Sequence, residues 1–181
     1  MALKGQEIFL SLGSNEGDRA GMMKLAYELI EKEVGPIRKR SAIYETEPWR
    51  MEGAEPFLNQ VIQVTSTLSP IRLLTILLEI ERKLGRCRMP DATSHVLRLT
   101  SHVSRLTSYV SRSIDLDILF YGDEVIENPE LTIPHPHIAE RRFVLVPLAE
   151  IAGEFLHPGM GKSIRKLLEE CNDLGEVKIF G

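Results

Sequence analysis

The order of predicted strands and helices constrains the fold of this 181-residue chain more than any other sequence feature. Apolar runs with strand character alternate with apolar spacing that is typical of helices. We predict strands at 7–12, 37–46, 57–66 and within 112–123, and helices at 19–33 and 71–84. Strand, helix, strand, strand, helix, strand is the order of the split βαβ unit. We therefore expect an α+β fold with a ferredoxin-like βαββαβ core, helices packed on the sheet and extra C-terminal elements.

Both predicted helices begin and end at residues that are typical of helix caps. Asp18 is the expected N-cap of the first helix, and Gly35 ends it. Ser69 and Pro70 begin the second helix as its N-cap and first helical residue, and Gly85 closes it. These signals agree with the apolar spacing between them, so the two helices are well defined.

The C-terminal third of the chain is predicted to be helical. We expect a helix over 138–151 with a break near Pro147, and a short closing helix over 163–171. The segment GMGKS at 159–163 resembles the end of a phosphate-binding loop, but Leu156 stands where that motif needs glycine. We therefore expect only a turn into the last helix there.

The composition is that of an ordinary globular protein, 43% hydrophobic and 27% charged, and the length fits a single domain spanning 1–181. A net charge of -4 and few aromatic residues argue against binding to nucleic acid. Since no apolar run approaches the roughly 20 residues of a membrane span and the chain opens on a strand signal, we expect a cytoplasmic protein without signal peptide or membrane contact. The two cysteines, Cys87 and Cys171, indicate neither a disulfide framework nor a zinc site.

Two carboxylates interrupt the fourth predicted strand. Because side chains alternate along a strand, Asp115 and Asp117 share one face while Ile114, Leu116 and Ile118 share the other. Same-face neighbours lie roughly 6.5 Å apart, close enough to share or bracket divalent cations, and carboxylate oxygens suit magnesium. A half-exposed strand with its polar face in water would have the same spacing. The apolar residues that follow favour a covered strand, on which carboxylates need partners.

A seven-residue tandem repeat precedes this strand, SHVLRLT, SHVSRLT and SYVSR at 94–112. We predict a long mobile loop at about 89–111. The region after Gly85 carries five arginines against the single acid Asp91; they are Arg86, Arg88, Arg98, Arg105 and Arg112. A solvated surface explains the two arginines inside the repeat. Beside a carboxylate pair, the positive region also suits phosphate chemistry, in which guanidinium groups and metal neutralise charge on oxygens.

The segment TIPHPHIAERRF at 132–143 presents a histidine from a stiff turn. Pro134 and Pro136 restrict the backbone on both sides of His135, and Arg141 and Arg142 follow. A single histidine is usually structural, but the neighbouring cations make a contact with phosphate an equal alternative.

Several of these segments together resemble one family, in their order and spacing. They are SLGSNEGDR, YETEP, FLN, LGRCR, RSIDLDILFYGD and TIPHPHIAERRFVLVPLAEI. Outside 89–111 the chain resembles the 6-hydroxymethyl-7,8-dihydropterin pyrophosphokinases of folate biosynthesis. The resemblance implies a ferredoxin-like fold and transfer of the β,γ-pyrophosphoryl group of ATP to the pterin hydroxymethyl oxygen, with release of AMP.

The resemblance also implies the residues of the nucleotide side. Asp115 and Asp117 would bind two Mg²⁺ ions around the triphosphate of ATP. Arg86, Arg88 and Arg112 would neutralise phosphates, with Arg86 and Arg112 joining the two aspartates as the catalytic set. The residues implied to contact or border the nucleotide are Thr132, His135 and Arg141.

On the pterin side the resemblance implies Thr46 and Trp49 in a pocket loop, Asn59 for hydrogen bonds, and Phe57 and Phe143 for packing on the ring. A flat heterocycle with several donors and acceptors does need aromatic faces and an amide. For Phe57, the residues alone slightly favour a place in the ordinary core.

The loop before the aspartates departs from the family pattern Arg-Trp-Gly-Pro-Arg. This chain has Ser-Tyr-Val-Ser-Arg, so Tyr109 is the candidate to replace the tryptophan. A longer loop could slow closure over the substrates. We therefore keep a catalytically impaired pterin- or nucleotide-binding relative as the alternative function, and an RNA-binding domain as a poor third. The expected partners are the two small-molecule substrates, with the chain a monomer or weak homodimer.

Overall fold

The computed structural model describes residues 5–47, 55–85 and 113–181. Within these ranges the chain forms the helices α1 Arg19–Glu33, α2 Pro70–Lys83, α3 Arg142–Ala152 and α4 Ile164–Glu170. The strands of the same ranges are β1 Gln6–Ser14, β2 Ile37–Arg40, β3 Tyr44–Thr46, β4 Phe57–Ser66, β5 Asp115–Tyr121, β6 Ile126–Glu127, β7 Thr132–Ile133 and β8 Val177–Ile179. None of the helices described has the length and apolar character that a membrane crossing requires.

Six strands form one antiparallel sheet. The strand order is β5-β1-β4-β3-β8, and β2 also pairs with β4. The pairing of β1 with β4 runs over the whole of β1, from Gln6 opposite Ser66 to Ser14 opposite Leu58. Strands β6 and β7 form a separate pair. The chain therefore has a mixed α/β architecture built on an antiparallel sheet, as the sequence predicts.

The first face of the sheet packs on α1 and α2. Leu10 and Leu12 of β1 are fully buried there against residues of both helices, such as Met23 and Leu77. Leu116 of β5 belongs to the same core. The apolar side of the fourth predicted strand thus lies in the core, as its alternation indicates.

The second face of the sheet is covered by α3 and α4 over part of its area. Phe9, Val61 and Phe120 pack there against apolar residues of the two helices, including Leu145 and Ile164. Phe120 reaches this face because the pairing of β1 with β5 shifts by one residue beside it. The remainder of this face carries the residues of the candidate site.

Both predicted N-caps are confirmed. An Asp18 carboxylate oxygen accepts a hydrogen bond from the Gly21 N–H at 2.9 Å, and Ser69 Oγ accepts one from the Arg72 N–H at 3.4 Å. Gly85 follows α2 with a φ of 96°, a conformation that glycine adopts without strain.

The segment 37–46 forms two strands, where the sequence predicted one. Between β2 and β3 the Ala42 N–H donates to the carboxylate of Glu150 in α3, at 3.0 and 3.1 Å. Ser41 continues the contact with β4 through its own N–H, which donates to the Val61 carbonyl at 3.0 Å. A side chain more than a hundred residues away therefore contacts the backbone between the two strands.

The predicted break near Pro147 is wrong. Pro147 lies buried inside α3, and the break is at Arg141, whose extended backbone separates a short 3-10 turn, Ile138–Glu140, from the helix. Burial of the apolar helix face offsets the hydrogen bond that a proline nitrogen cannot donate.

Candidate active site

Five small or polar residues lie side by side on the second face of the sheet, beyond its core. Asn59 of β4 and Asp115 of β5 both pair with Gly13 of β1, so one row crosses three strands. Asp117 pairs with Ser11 two residues further along. Directly paired residues share a face, so these five positions, which we call the polar patch, face the same way.

The two aspartates of the polar patch are half-buried on a strand that is fixed from behind. The Leu116 N–H, between them, donates to a carboxylate oxygen of Glu81 at 2.9 Å. Glu81 itself is buried on α2, only 2% exposed. A backbone held in this way fixes the positions from which both carboxylates project, as a shared cation site requires.

The start of β5 is anchored at two further points. Ser14 Oγ donates to the Ser113 carbonyl, and Ser113 Oγ donates to the Leu84 carbonyl at 3.0 Å. These bonds join the end of β1 and the end of α2 to Ser113, two residues before the start of β5. They leave little freedom for the backbone at Asp115.

The side chain of Asn59 is buried and oriented by a hydrogen bond. It is 5% exposed, and its Nδ2 donates to Thr46 Oγ1 at 2.7 Å. Its Oδ1 lies toward Gly13, where a Cβ, if the residue had one, would come within 3.3 Å. The amide therefore presents Oδ1 as an acceptor beside a position that has no side chain.

Phe57 lies next to this amide. It pairs with Thr46 across β3 and β4, and its ring is 3.9 Å from the position that a Cβ on Gly13 would take. The half-buried Phe57 ring belongs to neither of the two core clusters of the described ranges. The explanation of Phe57 as an ordinary core residue is therefore weakened.

His135 lies between the acidic strand and the basic segment before α3. Its N–H donates to the Leu119 carbonyl at 3.1 Å, and its Nδ1 accepts from the His137 N–H at 3.2 Å. The pKa of His135 is lowered to about 3, mainly by burial and then by the charges of Arg141 and His137, while the charge of Asp115 opposes the shift. The imidazole is neutral near pH 7, with its proton on Nε2, because Nδ1 is an acceptor.

The remaining described candidates lie around this histidine. Thr132 is half-buried on β7, close before His135 in the chain. The Arg141 guanidinium lies 5.8 Å from the centroid of the Phe143 ring, and Phe143 packs against the second core. Asp173 fixes the start of α3, because its carboxylate accepts from the Arg142 N–H at 2.9 Å.

Five predicted site residues lie outside the described ranges, and so does the tandem repeat. They are Trp49, Arg86, Arg88, Tyr109 and Arg112. Their roles stay predictions. Among the described residues there is also no group of three or more His, Cys, Asp or Glu side chains that could hold a metal ion.

Sequence reasoning missed two residues that shape the site. Glu81 stands on the buried face of α2, one residue after Ile80 and four after Leu77, and an acid in that apolar pattern was a usable signal. Gly13 directly follows the first predicted strand, 7–12, and is not among the predicted site residues. Gly13 leaves space beside Asn59 only because β1 pairs with β4, and no local sequence pattern shows that pairing.

Solved structures resemble this chain in fold. A crystal structure of Plasmodium falciparum HPPK-DHPS superposes with a TM-score of 0.70 at 18% identity, over 92% of this chain and 45% of that one. The wild-type form of that protein gives a TM-score of 0.68 at 17% identity, over 92% and 45% of the two chains. The present chain thus spans less than half of these structures, and at this identity the likeness shows the fold alone.

Sequence comparison defines the family. The family model for 7,8-dihydro-6-hydroxymethylpterin-pyrophosphokinase (HPPK) matches residues 9–153. The chain therefore belongs to the HPPK family.

Curated relatives support the assignment to this family. A 2-amino-4-hydroxy-6-hydroxymethyldihydropteridine pyrophosphokinase of Porphyromonas gingivalis is 39% identical over 152 residues, 83% of this chain and 93% of that protein. The Bacillus subtilis protein of the same name is 37% identical, over 79% and 76% of the two chains. The Pneumocystis carinii folic acid synthesis protein fol1 is 35% identical over 95% of this chain, but this chain covers only 21% of it.

Proposed function

We propose that this chain transfers the pyrophosphoryl group of ATP to 6-hydroxymethyl-7,8-dihydropterin in folate biosynthesis, giving the pterin diphosphate and AMP, and that the polar patch is where transfer occurs. The activity follows from the family and from relatives of that name. The observation that supports the location is the row in which Asn59 and Asp115 both pair with Gly13.

The geometry of this row suits two substrates that must meet. Asn59 and Asp115 are separated by two strand spacings, about 10 Å. A bicyclic ring recognised by Asn59 at its far edge directs its hydroxymethyl arm along the row toward the aspartates. Gly13 lies between them and adds no side chain to the space. Alignment of the attacking oxygen with the phosphorus then supplies catalysis through proximity.

We assign the magnesium site to Asp115 and Asp117. The donor set fits, because two half-buried carboxylates on one strand face offer hard oxygen ligands and phosphates and water complete such a shell. When bound, magnesium neutralises charge on the phosphate oxygens. The bond from the Leu116 N–H to Glu81 fixes the strand backbone from which both carboxylates project. A count of two ions remains part of the proposal.

We assign pterin recognition to Thr46, Phe57, Asn59 and Phe143. The bond from Asn59 Nδ2 to Thr46 Oγ1 commits the amide nitrogen, so Oδ1 is left to accept from ring N–H groups. Phe57, beside that amide, offers an aromatic face. Trp49 and Tyr109 extend this assignment by prediction from the sequence.

We assign nucleotide contacts to Thr132, His135 and Arg141. A neutral His135 donates from Nε2, which suits a ribose or phosphate oxygen without adding charge. Arg141 supplies the permanent positive charge beside it. We also propose that Arg88 binds the nucleotide and that Arg86 and Arg112 neutralise charge on the phosphates during transfer.

We also propose that the core is ferredoxin-like. The four main strand positions occur in the order fourth, first, third, second across the sheet when β2 and β3 are counted together. The strand β8 and the pair β6–β7 are additions to that core. We further propose that the chain acts in the cytoplasm, where ATP is available, as a monomer or weak homodimer.

Release of AMP from ATP plus hydroxymethyl-dihydropterin, with and without magnesium, tests the function. We expect Asp115→Asn and Asp117→Asn each to lower turnover by roughly 10²-fold or more, the scale of one lost electrostatic contact in a preorganised site. The matched control is Asp123→Asn, an exposed carboxylate just after the same strand.

Three results would count against the proposal. Wild-type turnover in both variants would remove the metal assignment. An equal loss in Asp123→Asn would show that the effect is not local. Binding of both substrates by the wild type without AMP release would favour the impaired relative.

A further inference from the structure

One arginine touches three chain segments that meet behind the pterin residues. Arg19 is the first residue of α1, and its Nη1 donates to the Pro56 carbonyl at 2.7 Å. Its Nη2 lies 3.0 Å from a carboxylate oxygen of Glu45. The guanidinium also lies 5.8 Å from the ring centroid of Phe180, just after β8.

The first two of these contacts are adjacent to pterin-side residues. Glu45 precedes Thr46 in β3, and Pro56 precedes Phe57 in β4. Thr46 and Phe57 form the last pair of the β3–β4 ladder. Ends of ladders fray, and β3 is only three residues long, so this pair needs support from outside the ladder.

The arginine acts from the other side of the sheet. Glu45 pairs with Leu58, which lies in the first core, whereas Thr46 and Phe57 share the second face with Asn59. Arg19 therefore cannot touch a ligand on the polar patch. Its effect on binding must pass through the backbone.

We infer that Arg19 is a positioning residue for the pterin site, an inference that rests on the proposed function. By holding Glu45 and Pro56 together it fixes the register of Thr46 with Phe57, and so the bond from Asn59 Nδ2 to Thr46 Oγ1 that turns Oδ1 toward the ligand.

A planar guanidinium suits this task because its donors point in two fixed directions, one to each partner. A lysine ammonium is a single point charge, so it holds one partner well but not both in this geometry. The conservative variant Arg19→Lys is therefore expected to restore the function only in part.

The test measures binding of 6-hydroxymethylpterin by its own fluorescence, and of a non-hydrolysable ATP analogue by calorimetry. For Arg19→Gln we expect a roughly three- to fivefold weaker pterin affinity and an ATP affinity within about twofold of wild type. The pterin affinity of Arg19→Lys should lie between those of wild type and Arg19→Gln. The matched control is Arg165→Gln, which removes an exposed arginine that also lies 3.0 Å from a glutamate, Glu154.

A second measurement needs neither ligand nor turnover. The side-chain amide of Asn59 should shift in ¹⁵N NMR spectra of ligand-free Arg19→Gln and Glu45→Gln, and stay in place in Arg165→Gln. If Arg19→Gln fails to fold, Glu45→Gln removes the same ion pair and decides the question.

An unchanged Asn59 signal, or equal losses of pterin and ATP affinity, would overturn the inference. Absence of AMP release by the wild-type protein would instead count against the proposed function, and the NMR comparison would still decide the role of Arg19.

Discussion

The two faces of the central sheet are built from the same strands but differ in what they carry. On the first face β1 contributes Ile8, Leu10 and Leu12, all fully buried under α1 and α2. On the second face the same strand contributes Phe9, Ser11 and Gly13, which change from core to polar patch within five residues.

The difference shows how one sheet can stabilise the fold with the residues of one face and carry the candidate site on the other. Alternation along one strand gives each face its own residues, so the apolar face can hold the sheet while the other keeps polar groups at fixed spacing. The connection between the faces is local: the buried Glu81 on the first side bonds the backbone between Asp115 and Asp117 on the second. Mutations of apolar core residues on the first face should therefore have effects separable from those on the second, whereas Arg19 and Glu81, which contact backbone next to the site, are exceptions.

The largest effect is expected on stability, from the first face. Leu10→Ala removes a fully buried side chain and should lower the free energy of unfolding by about 2–5 kcal/mol in denaturant titrations. Leu25→Ala, at a residue 45% exposed on α1, is the control and should stay within about 0.5 kcal/mol. Below the unfolding transition, substrate affinities should not change in Leu10→Ala. A selective loss of pterin affinity there would contradict the separation of the faces.

A smaller effect on stability, which depends on pH, is expected from the second face. The pKa of His135 is lowered to about 3, whereas an unfolded chain has a histidine pKa near 6.5. As pH falls from 6.5 toward 3 only the unfolded state gains the proton, so the stability contribution of this neutral histidine is full above pH 6.5 and is lost on acidification.

The stability of the wild type relative to His135→Gln should therefore fall by about 1–2 kcal/mol between pH 7 and pH 5. Denaturant titrations of both proteins at the two values measure this. In ¹H NMR spectra the folded wild type should keep the neutral-form His135 signal down to pH 5. A His135 titration with a midpoint near 6.5 would refute the neutral state of this side chain.

The smallest effect concerns one hydroxyl. Thr46→Val keeps the side-chain shape but leaves Asn59 Nδ2 without the acceptor at 2.7 Å, so we expect roughly tenfold weaker pterin binding. Thr75→Val removes a similar hydroxyl on α2, where it bonds the Ile71 carbonyl at 2.9 Å, and serves as the control. Equal pterin affinities in the two variants would show that the amide does not need its partner.

The parts of this picture that the sequence predicts are those that local chemistry determines. Capping by Asp18 and Ser69 is decided within three residues of each helix start, and both caps form. The alternation that puts Leu116 opposite to Asp115 and Asp117 is a property of any strand. The mixed α/β architecture follows from the order of such elements.

The parts that the sequence does not predict depend on distant partners. The interruption between β2 and β3 coincides with the contact of Ala42 with Glu150, and no glycine or proline marks it. The helix passes through Pro147 because its apolar face is buried. Likewise Arg19 meets residues 26 and 37 positions away, which no local pattern shows.

A crystal structure with magnesium, a non-hydrolysable ATP analogue and the pterin tests the central claim most directly. The claim is that both substrates meet on the polar patch. We predict a cation bound by Asp115 and Asp117, with a pterin ring N–H donating to Asn59 Oδ1 beside Gly13. Ligands bound away from the second face, or aspartates that face solvent with no cation near them, would contradict it.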